Sequence, residues 1–201
     1  MKALYRTIST LALVCATLVM AASASAADLA GVRLAETERV ANQNLVLNGA
    51  GVRTRVIFKV YAIALYLGER TTSATGVLGS EAPKRVSIVL LRDVGNEAFA
   101  KAFREGIEKN SDKAERARIA AQLTKFNELF AAIPEVKKGD VLTLDWIPGS
   151  GTLVQLNGKK MTELIPDPLF YSVFLRIWLG EKPAEATLKR RLLGQQEAAA
   201  E

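Results

Sequence analysis

The sequence predicts an α+β fold, with strands in the first third, helices in the middle, and strands and helices again at the end. The strand prediction rests on the long segment Val56–Leu67, whose two alternating faces are both largely apolar. The helix prediction rests on apolar residues at steps of three and four between Asn96 and Ile133. Turn-forming residues at 148–151 and 157–158 predict hairpins after the helices. Strands and helices segregated along the chain are typical of α+β proteins.

The first 26 residues have the layout of a secretory signal peptide. A short basic lead with Lys2 and Arg6 precedes an apolar run over residues 11–22, and Ala24-Ser25-Ala26 supplies small residues at a cleavage site. The apolar run is too short to span a bilayer. We therefore expect cleavage after Ala26 and a periplasmic or secreted protein without a membrane span, an uncleaved anchor being the alternative.

The mature chain is predicted to form one domain over residues 27–194, followed by a disordered tail over residues 195–201. The length suffices for a substantial core, and the sequence contains no repeat or Pro/Gly-rich linker that divides it. The tail, QQEAAAE, has the composition of a frayed terminus.

Composition excludes several classes of function. The chain has no histidine, and its one cysteine, Cys15, lies in the predicted signal peptide. A histidine base, a cysteine nucleophile, a disulfide and an ordinary zinc site are therefore excluded from the mature protein. The net charge of +6 is dispersed, and the one tight basic cluster, residues 189–191, falls on a predicted terminal helix rather than in a nucleic-acid-binding pattern. We expect no cofactor, metal or nucleic-acid partner.

The predicted elements start with strands at Val32–Val40 and Leu45–Leu47. A Gly-Ala-Gly turn at residues 49–51 is expected to deliver Arg53 to the start of the Val56–Leu67 strand. Because both faces of this strand are apolar, it is expected to be central in the sheet and covered on both sides, or to cover a cavity on one side. Lys59 and Tyr61 are polar interruptions on one of those faces.

The later elements are predicted from the spacing of apolar residues and from the capping and turn residues between them. Asp112 and Glu115 form a capping-box pattern, which predicts two helices rather than one between Asn96 and Ile133. Asp145, on a predicted strand, has no carboxylate neighbour in sequence for acid–base chemistry. The other predicted strands are Lys84–Leu91, Asp140–Ile147, Thr152–Leu156 and Lys160–Leu164, and the other predicted helices are Pro166–Leu179 and a last one from Pro183 to Leu193.

Three ordered segments resemble the chalcone isomerase-like superfamily. They are GAGVR with KVYAIALYLGE (49–53 and 59–69), LLRDV (90–94) and FLRIWLGEKPAEATLKRRLLG (174–194). A secreted bacterial branch of that superfamily is the nearest likeness. The resemblance implies an open-faced β-sandwich, in which a large antiparallel sheet packs against a layer of helices with a ligand cleft between them.

The superfamily contains two functional classes, and the resemblance assigns this chain to the binding class. True isomerases use an arginine after the Gly-x-Gly turn and a threonine on the next strand, whereas the fatty-acid binders have a tyrosine at the threonine position. Arg53 matches the arginine and Tyr61 matches the tyrosine. Ile177 falls where plant enzymes carry a hydroxyl. The resemblance therefore implies a periplasmic or secreted binder of a fatty acid or similar amphipathic carboxylate, held by Arg53 and Tyr61.

Two alternatives stay open at this point. In an isomerase or intramolecular lyase acting on an unsaturated carbonyl compound, Arg53 would stabilise a developing oxyanion and Tyr61 would donate a hydrogen bond. In a structural or interaction protein of the cell envelope, the cleft would be vestigial or would accept a partner's peptide.

One geometric condition applies to both ligand-based functions. Arg53 and Tyr61 are eight residues apart, roughly 26 Å along an unbroken strand. They can contact one carboxylate only if the chain turns between them, and residues 54–57 contain no Gly or Pro that would signal such a turn.

Overall fold

The structure is a computed structural model that describes residues 26–133 and 135–195. The basic lead, apolar run and Cys15 of the predicted signal peptide, and the predicted tail from residue 196 onward, lie outside the described residues.

The described chain forms a large antiparallel sheet with helices on one face, which confirms the predicted α+β class. The strands are β1 (Ala26–Leu29), β2 (Val32–Ala35), β3 (Thr37–Val40), β4 (Gln43–Arg55), β5 (Phe58–Leu67), β6 (Lys84–Leu90), β7 (Val94–Gly95), β8 (Glu135–Val136), β9 (Val141–Ile147), β10 (Gly151–Leu156) and β11 (Lys159–Lys160). The helices are α1 (Ala74–Gly79), α2 (Asn96–Asn110), α3 (Lys113–Arg118), α4 (Ala120–Ala131), α5 (Pro168–Leu179) and α6 (Ala186–Leu192). Seven strands form the main sheet in the order β11-β10-β9-β6-β5-β4-β3, and β1-β2 and β7-β8 are separate pairs.

The predicted Gly-Ala-Gly turn is wrong. Residues 49–51 lie inside β4, which runs without a turn from Gln43 to Arg55. The chain reverses instead at Val56-Ile57, so the long strand predicted from Val56 begins only at Phe58. Two glycines in three residues resemble a turn, but here they serve close helix packing, as described below.

The other elements largely follow the predictions, but the predicted strand Val32–Val40 is divided into β2 and β3, and β1 and the β7–β8 pair have no counterpart in the prediction. The helical region contains three helices because the chain departs from helical geometry again at Ile119, and the predicted capping box of Asp112 and Glu115 starts α3. Helix α1, capped by the Ser73 side chain, has no counterpart in the prediction. Strand β11 is only two residues long, although Ile165 adds an isolated bridge to Thr152.

Strand β5 lies in the interior of the sheet, between β6 and β4, and is covered on both faces, as predicted. Ile63 and Leu65 face the main core between sheet and helices, while Ala64 and Tyr66 face a smaller cluster with residues of β2, β3 and β4. In the main core the rings of Phe103 and Phe126 stack with centroids 4.1 Å apart. Among the described helices none is long and apolar enough to cross a membrane.

Candidate ligand-binding site

The β4–β5 hairpin brings Arg53 and Tyr61 together. The two-residue turn at Val56-Ile57 folds the strands back on each other, so that Arg53 is the direct cross-strand partner of Tyr61. Directly opposed residues in an antiparallel pair project from the same face, with Cβ atoms about 5 Å apart. The structure thus meets the geometric condition that the extended strand would have violated.

An irregularity in the hairpin adds a residue beside Tyr61. After the Arg53–Tyr61 pair the register shifts, and Thr54 pairs with Lys59. This shift leaves Val60 as the extra residue of a bulge, a feature that redirects side chains near the end of a strand. As a result Val60 and Tyr61, although consecutive, both line the same cavity.

Helix α6 approaches this hairpin closely because β4 carries glycines where the helix crosses. A Cβ on Gly49 would lie 2.6 Å from the Leu192 carbonyl oxygen, and one on Gly51 would lie 2.5 Å from Leu188 Cδ1. Both distances are far below normal contact, so only glycine permits this packing. The close approach sets the start of α6, and with it Glu185, beside Arg53.

Arg53 forms an ion pair with Glu185, the residue that precedes α6. The Arg53 guanidinium donates to Glu185 Oε2 at 2.9 Å, and the Thr54 backbone N–H lies 3.4 Å from the same oxygen. The two side chains remain 25% and 29% exposed. A protein carboxylate therefore occupies one side of the arginine, in an ion pair that water can reach.

Tyr61 is held by Trp178 of α5. The Trp178 indole N–H donates to the Tyr61 hydroxyl oxygen at 2.9 Å. Burial raises the pKa of Tyr61 above its usual value near 10; the Trp178 hydrogen bond and the Arg53 charge oppose this rise, and Glu185 adds to it. The phenol therefore stays protonated near neutral pH. The Trp178 bond uses the oxygen as an acceptor, so the hydroxyl hydrogen can be donated to a ligand.

Arg53 and Tyr61 border a cavity of about 640 Å³ between the sheet and the helices. Its volume is within the range of small-molecule sites. The walls are mainly apolar, with aromatic or aliphatic side chains from the sheet, α2, α4 and α5. These are Val60, Ile88, Leu90, Phe99, Phe103, Phe126, Leu142, Phe174, Ile177 and Trp178.

Charged side chains among the lining residues are mostly cationic. They are Arg53, Arg55, Lys101, Lys109 and Lys182, with Glu105 as the one acidic lining residue. Glu105 Oε1 lies 3.9 Å from Lys101 Nζ, and Glu185 forms an ion pair with Arg53. An apolar interior with an excess of positive charge is suited to an anion with a long apolar tail.

A loop between α5 and α6 closes one side of the cavity and is attached by Asn110. The Asn110 side chain donates to the carbonyls of Gly106 and Lys182 at 2.9 Å each, and accepts from the Lys182 N–H at 3.0 Å. Pro183 and Ala184 of this loop line the cavity. Asn110, Glu185 and Trp178 were not predicted as site residues. Trp178 and Glu185 lie within the third segment of the resemblance, residues 174–194, but nothing in that segment's sequence indicates that they contact Tyr61 and Arg53.

Residues 26–194 match the family profile described as chalcone isomerase-like. The chain belongs to the chalcone isomerase-like family. Its predicted resemblance is thereby confirmed, and the fold agrees with the crystal structure of a fatty-acid-binding protein of Arabidopsis thaliana. That comparison gives a TM-score of 0.64 over 81% of this chain and 92% of the other, at 14% sequence identity. A search of curated proteins finds no match.

The remaining position of interest in this chalcone isomerase-like chain is Ile177, on α5. It lines the cavity and packs against α2 at Gly106, where a Cβ would lie 2.9 Å from Ile177 Cγ2. The position where the resemblance implies a hydroxyl in the plant enzymes therefore adds apolar surface here. Its chemistry suits contact with a hydrocarbon rather than polarisation of a carbonyl group.

Proposed function

We propose that this chalcone isomerase-like protein binds a fatty acid or a similar amphipathic carboxylate. The observation that carries the proposal is an apolar cavity of about 640 Å³ with Arg53 and Tyr61, cross-strand neighbours, on one wall. The head group binds Arg53 and Tyr61, and the tail lies among the aromatic side chains. The fatty-acid-binding relative with the same fold supports this assignment.

The two parts of such a ligand contribute differently to affinity. A charge-assisted hydrogen bond to the guanidinium contributes about 1.5–3 kcal/mol, and each buried methylene about 0.8 kcal/mol. A tail of about ten carbons thus dominates the free energy of binding, while the head group determines orientation.

Glu185 is an internal competitor for the head group. Its carboxylate lies at the distance from Arg53 that a ligand carboxylate would adopt, 2.9 Å. A bound ligand must displace this carboxylate or bind the remaining donors of the guanidinium fork. Removing the charge of Glu185 is therefore expected to strengthen binding, opposite to the effect of removing Arg53.

Binding is favoured over turnover by the chemistry of the lining. Tyr61 stands where the resemblance gives enzymes a threonine, and Ile177 supplies no hydroxyl. Among the described lining residues Glu105 is the one carboxylate, and it lies beside Lys101 rather than beside Arg53 and Tyr61. The open volume of the cavity argues against a vestigial cleft filled by its own side chains.

We further propose that the protein acts in the periplasm or outside the cell. The basic lead, apolar run and small residues up to Ala26 support this location. The intact mass of the protein recovered from its native cells tests it, because cleavage after Ala26 leaves a chain that begins at Ala27. An intact N-terminus contradicts cleavage and supports the uncleaved anchor instead.

The binding proposal is tested by native mass spectrometry of the gently purified protein, extraction of any bound lipid, and titration with palmitate. Wild type is expected to retain a fatty acid or to bind palmitate. Arg53→Met is expected to weaken binding at least about tenfold, and Tyr61→Phe about fivefold, because each loses a hydrogen bond to the head group. Arg39→Met, which removes an equal charge from an exposed edge-strand position, is the control and should bind normally.

The palmitate affinity of Glu185→Gln distinguishes an error in the proposed head-group site from an error in the proposed function. Tighter binding in this variant, with weaker binding in Arg53→Met, supports the head-group site. If wild type binds palmitate but neither variant changes the affinity, the function stands and the site is wrong. Failure to retain or bind any fatty acid overturns the function, and chalcone turnover lost in Tyr61→Phe would support the isomerase.

A further inference from the structure

The tip of the β4–β5 hairpin exposes three consecutive apolar side chains. Val56 is 89% exposed, Ile57 79% and Phe58 55%, and in the part of the chain that the structure describes these are the large apolar residues so exposed. A contiguous apolar patch at the surface is typical of an interaction site. The segment, Val56-Ile57-Phe58, is called the hairpin tip below.

The backbone of the hairpin tip is strained as well as exposed. Val56 has φ of +58°, the left-handed region that β-branched residues rarely adopt. Two-residue hairpin turns favour Asn or Gly at such positions. A turn that serves only to connect two strands would be more stable with Asn or Gly, so the valine indicates a use for its side chain outside the fold.

Three cationic residues adjoin the hairpin tip. Arg55 and Lys59 flank it in sequence, and both are exposed. The Arg92 guanidinium carbon lies 5.0 Å from the centre of the Phe58 ring, a cation–π contact. Apolar side chains with three cations beside them match the interface of an anionic lipid bilayer, where the apolar groups enter the acyl region and the cations contact phosphates.

The hairpin tip also adjoins the cavity. Arg55, immediately before the tip, and Val60, two residues after it, both line the cavity. We propose that the hairpin tip inserts into the surface of an anionic phospholipid bilayer and holds this side of the cavity against the membrane. The inference goes beyond ligand binding and does not depend on which ligand the cavity accepts.

Vesicle flotation tests the proposal with the protein as purified from cells that export it, and the intact mass checks that every variant has the same N-terminus. The vesicles contain phosphatidylcholine with or without phosphatidylglycerol. Wild type is expected to float with the phosphatidylglycerol vesicles and to be released by salt. Ile57→Asp is expected to reduce partition into the phosphatidylglycerol vesicles at least about tenfold. The variant can no longer bury an isoleucine side chain in the bilayer, and it adds a negative charge that the anionic lipid repels.

Asn44→Asp is the matched control. It makes the same change in net charge on an exposed residue at the other end of β4, about 40 Å from the tip along the strand. It is expected to float like wild type. The double variant Arg55→Gln/Lys59→Gln is expected to lose affinity for phosphatidylglycerol vesicles by about fivefold per charge.

Val56→Asn distinguishes membrane docking from a folding role. Asparagine tolerates the left-handed conformation, so this variant is expected to raise the Tm by about 2–4 °C while it weakens flotation. A variant that is more stable yet floats less well cannot be explained by unfolding.

Three results would overturn the proposal. They are absence of flotation in wild type, flotation that Ile57→Asp leaves equal to that of Asn44→Asp, and a dimer in light scattering that Ile57→Asp abolishes without vesicle binding. The third would assign the hairpin tip to contact with a second copy of the chain.

Discussion

At the scale of single residues, the candidate site combines two residues that the sequence predicts with two that it does not. Arg53 and Tyr61 follow from the motif resemblance. Glu185 and Trp178, which contact them, are 132 and 117 residues away along the chain. Contacts at such separations depend on the packing of whole helices, and a single sequence carries no record of that packing.

Asp145 illustrates the same limit. The sequence offers it no partner, but β6 and β9 pair in a register that sets Arg85 directly opposite. The Arg85 guanidinium donates to both oxygens of this buried carboxylate, at 2.7 and 2.6 Å, and to Glu38 at 2.8 Å. The fork geometry makes Asp145 a structural residue rather than a catalytic one.

Lys84 gives a prediction about pH. Burial lowers the pKa of Lys84 from 10.5 to about 8, an effect that nearby Glu81 partly opposes. Between these values the unfolded chain binds more protons than the folded protein, so stability should rise with pH. We expect a gain of about 1–2 kcal/mol in the free energy of unfolding between about pH 7.5 and 9.5, measured by urea denaturation.

The control is Lys84→Met, in which this rise should disappear. Above about pH 10 the trend should reverse. Burial raises the pKa of Tyr66 to about 12 and that of Tyr171 above its usual value, so the unfolded chain loses those protons first. An equal rise in wild type and Lys84→Met would exclude Lys84 as the cause.

At the scale of elements, the main error of the sequence prediction concerns the glycines of β4. Glycine-rich segments signal turns because glycine tolerates positive φ, yet neither Gly49 nor Gly51 has positive φ here. Their role is to let α6 pack against the strand. The real turn uses Val56-Ile57, a pair that local propensity disfavours.

Gly49→Ala is therefore expected to destabilise the protein by about 1–3 kcal/mol, because its Cβ would overlap the α6 backbone at Leu192. Thermal or urea unfolding measures the change. Gly68→Ala, at a position with open space around the Cβ and no positive φ, is the matched control and should be neutral or slightly stabilising. Equal effects of the two substitutions would contradict the packing role of Gly49.

At the scale of the whole molecule, the proposed ligand should stabilise the fold in proportion to its tail. Binding to the folded state raises the free energy of unfolding by RT ln(1 + [L]/Kd). Since each buried methylene contributes about 0.8 kcal/mol, Kd should fall about fourfold per carbon until the cavity is filled. Tm measured with saturated fatty acids of increasing length should rise and then level off.

Arg53→Met separates the head group from the tail in this series. It should weaken binding by a similar factor at every chain length and leave the dependence on length unchanged. A dependence on length that vanishes in this variant would indicate that tail and head group do not bind independently. Tm values that do not vary with length in wild type would contradict burial of the tail.

The sequence by itself determined the α+β class, the central strand β5, the capping box of α3 and the hairpins of β9 to β11. These features depend on periodicity and turn chemistry within a few residues. Only the tertiary structure decided that Arg53 faces Tyr61, that Glu185 and Trp178 hold them, and that the Val56-Ile57 turn is exposed beside the cavity. Those outcomes depend on strand register and on the approach of α6 to Gly49. The approach of α6 depends on packing between distant segments, and the register depends on a hairpin turn at Val56-Ile57, whose residue types do not signal a turn.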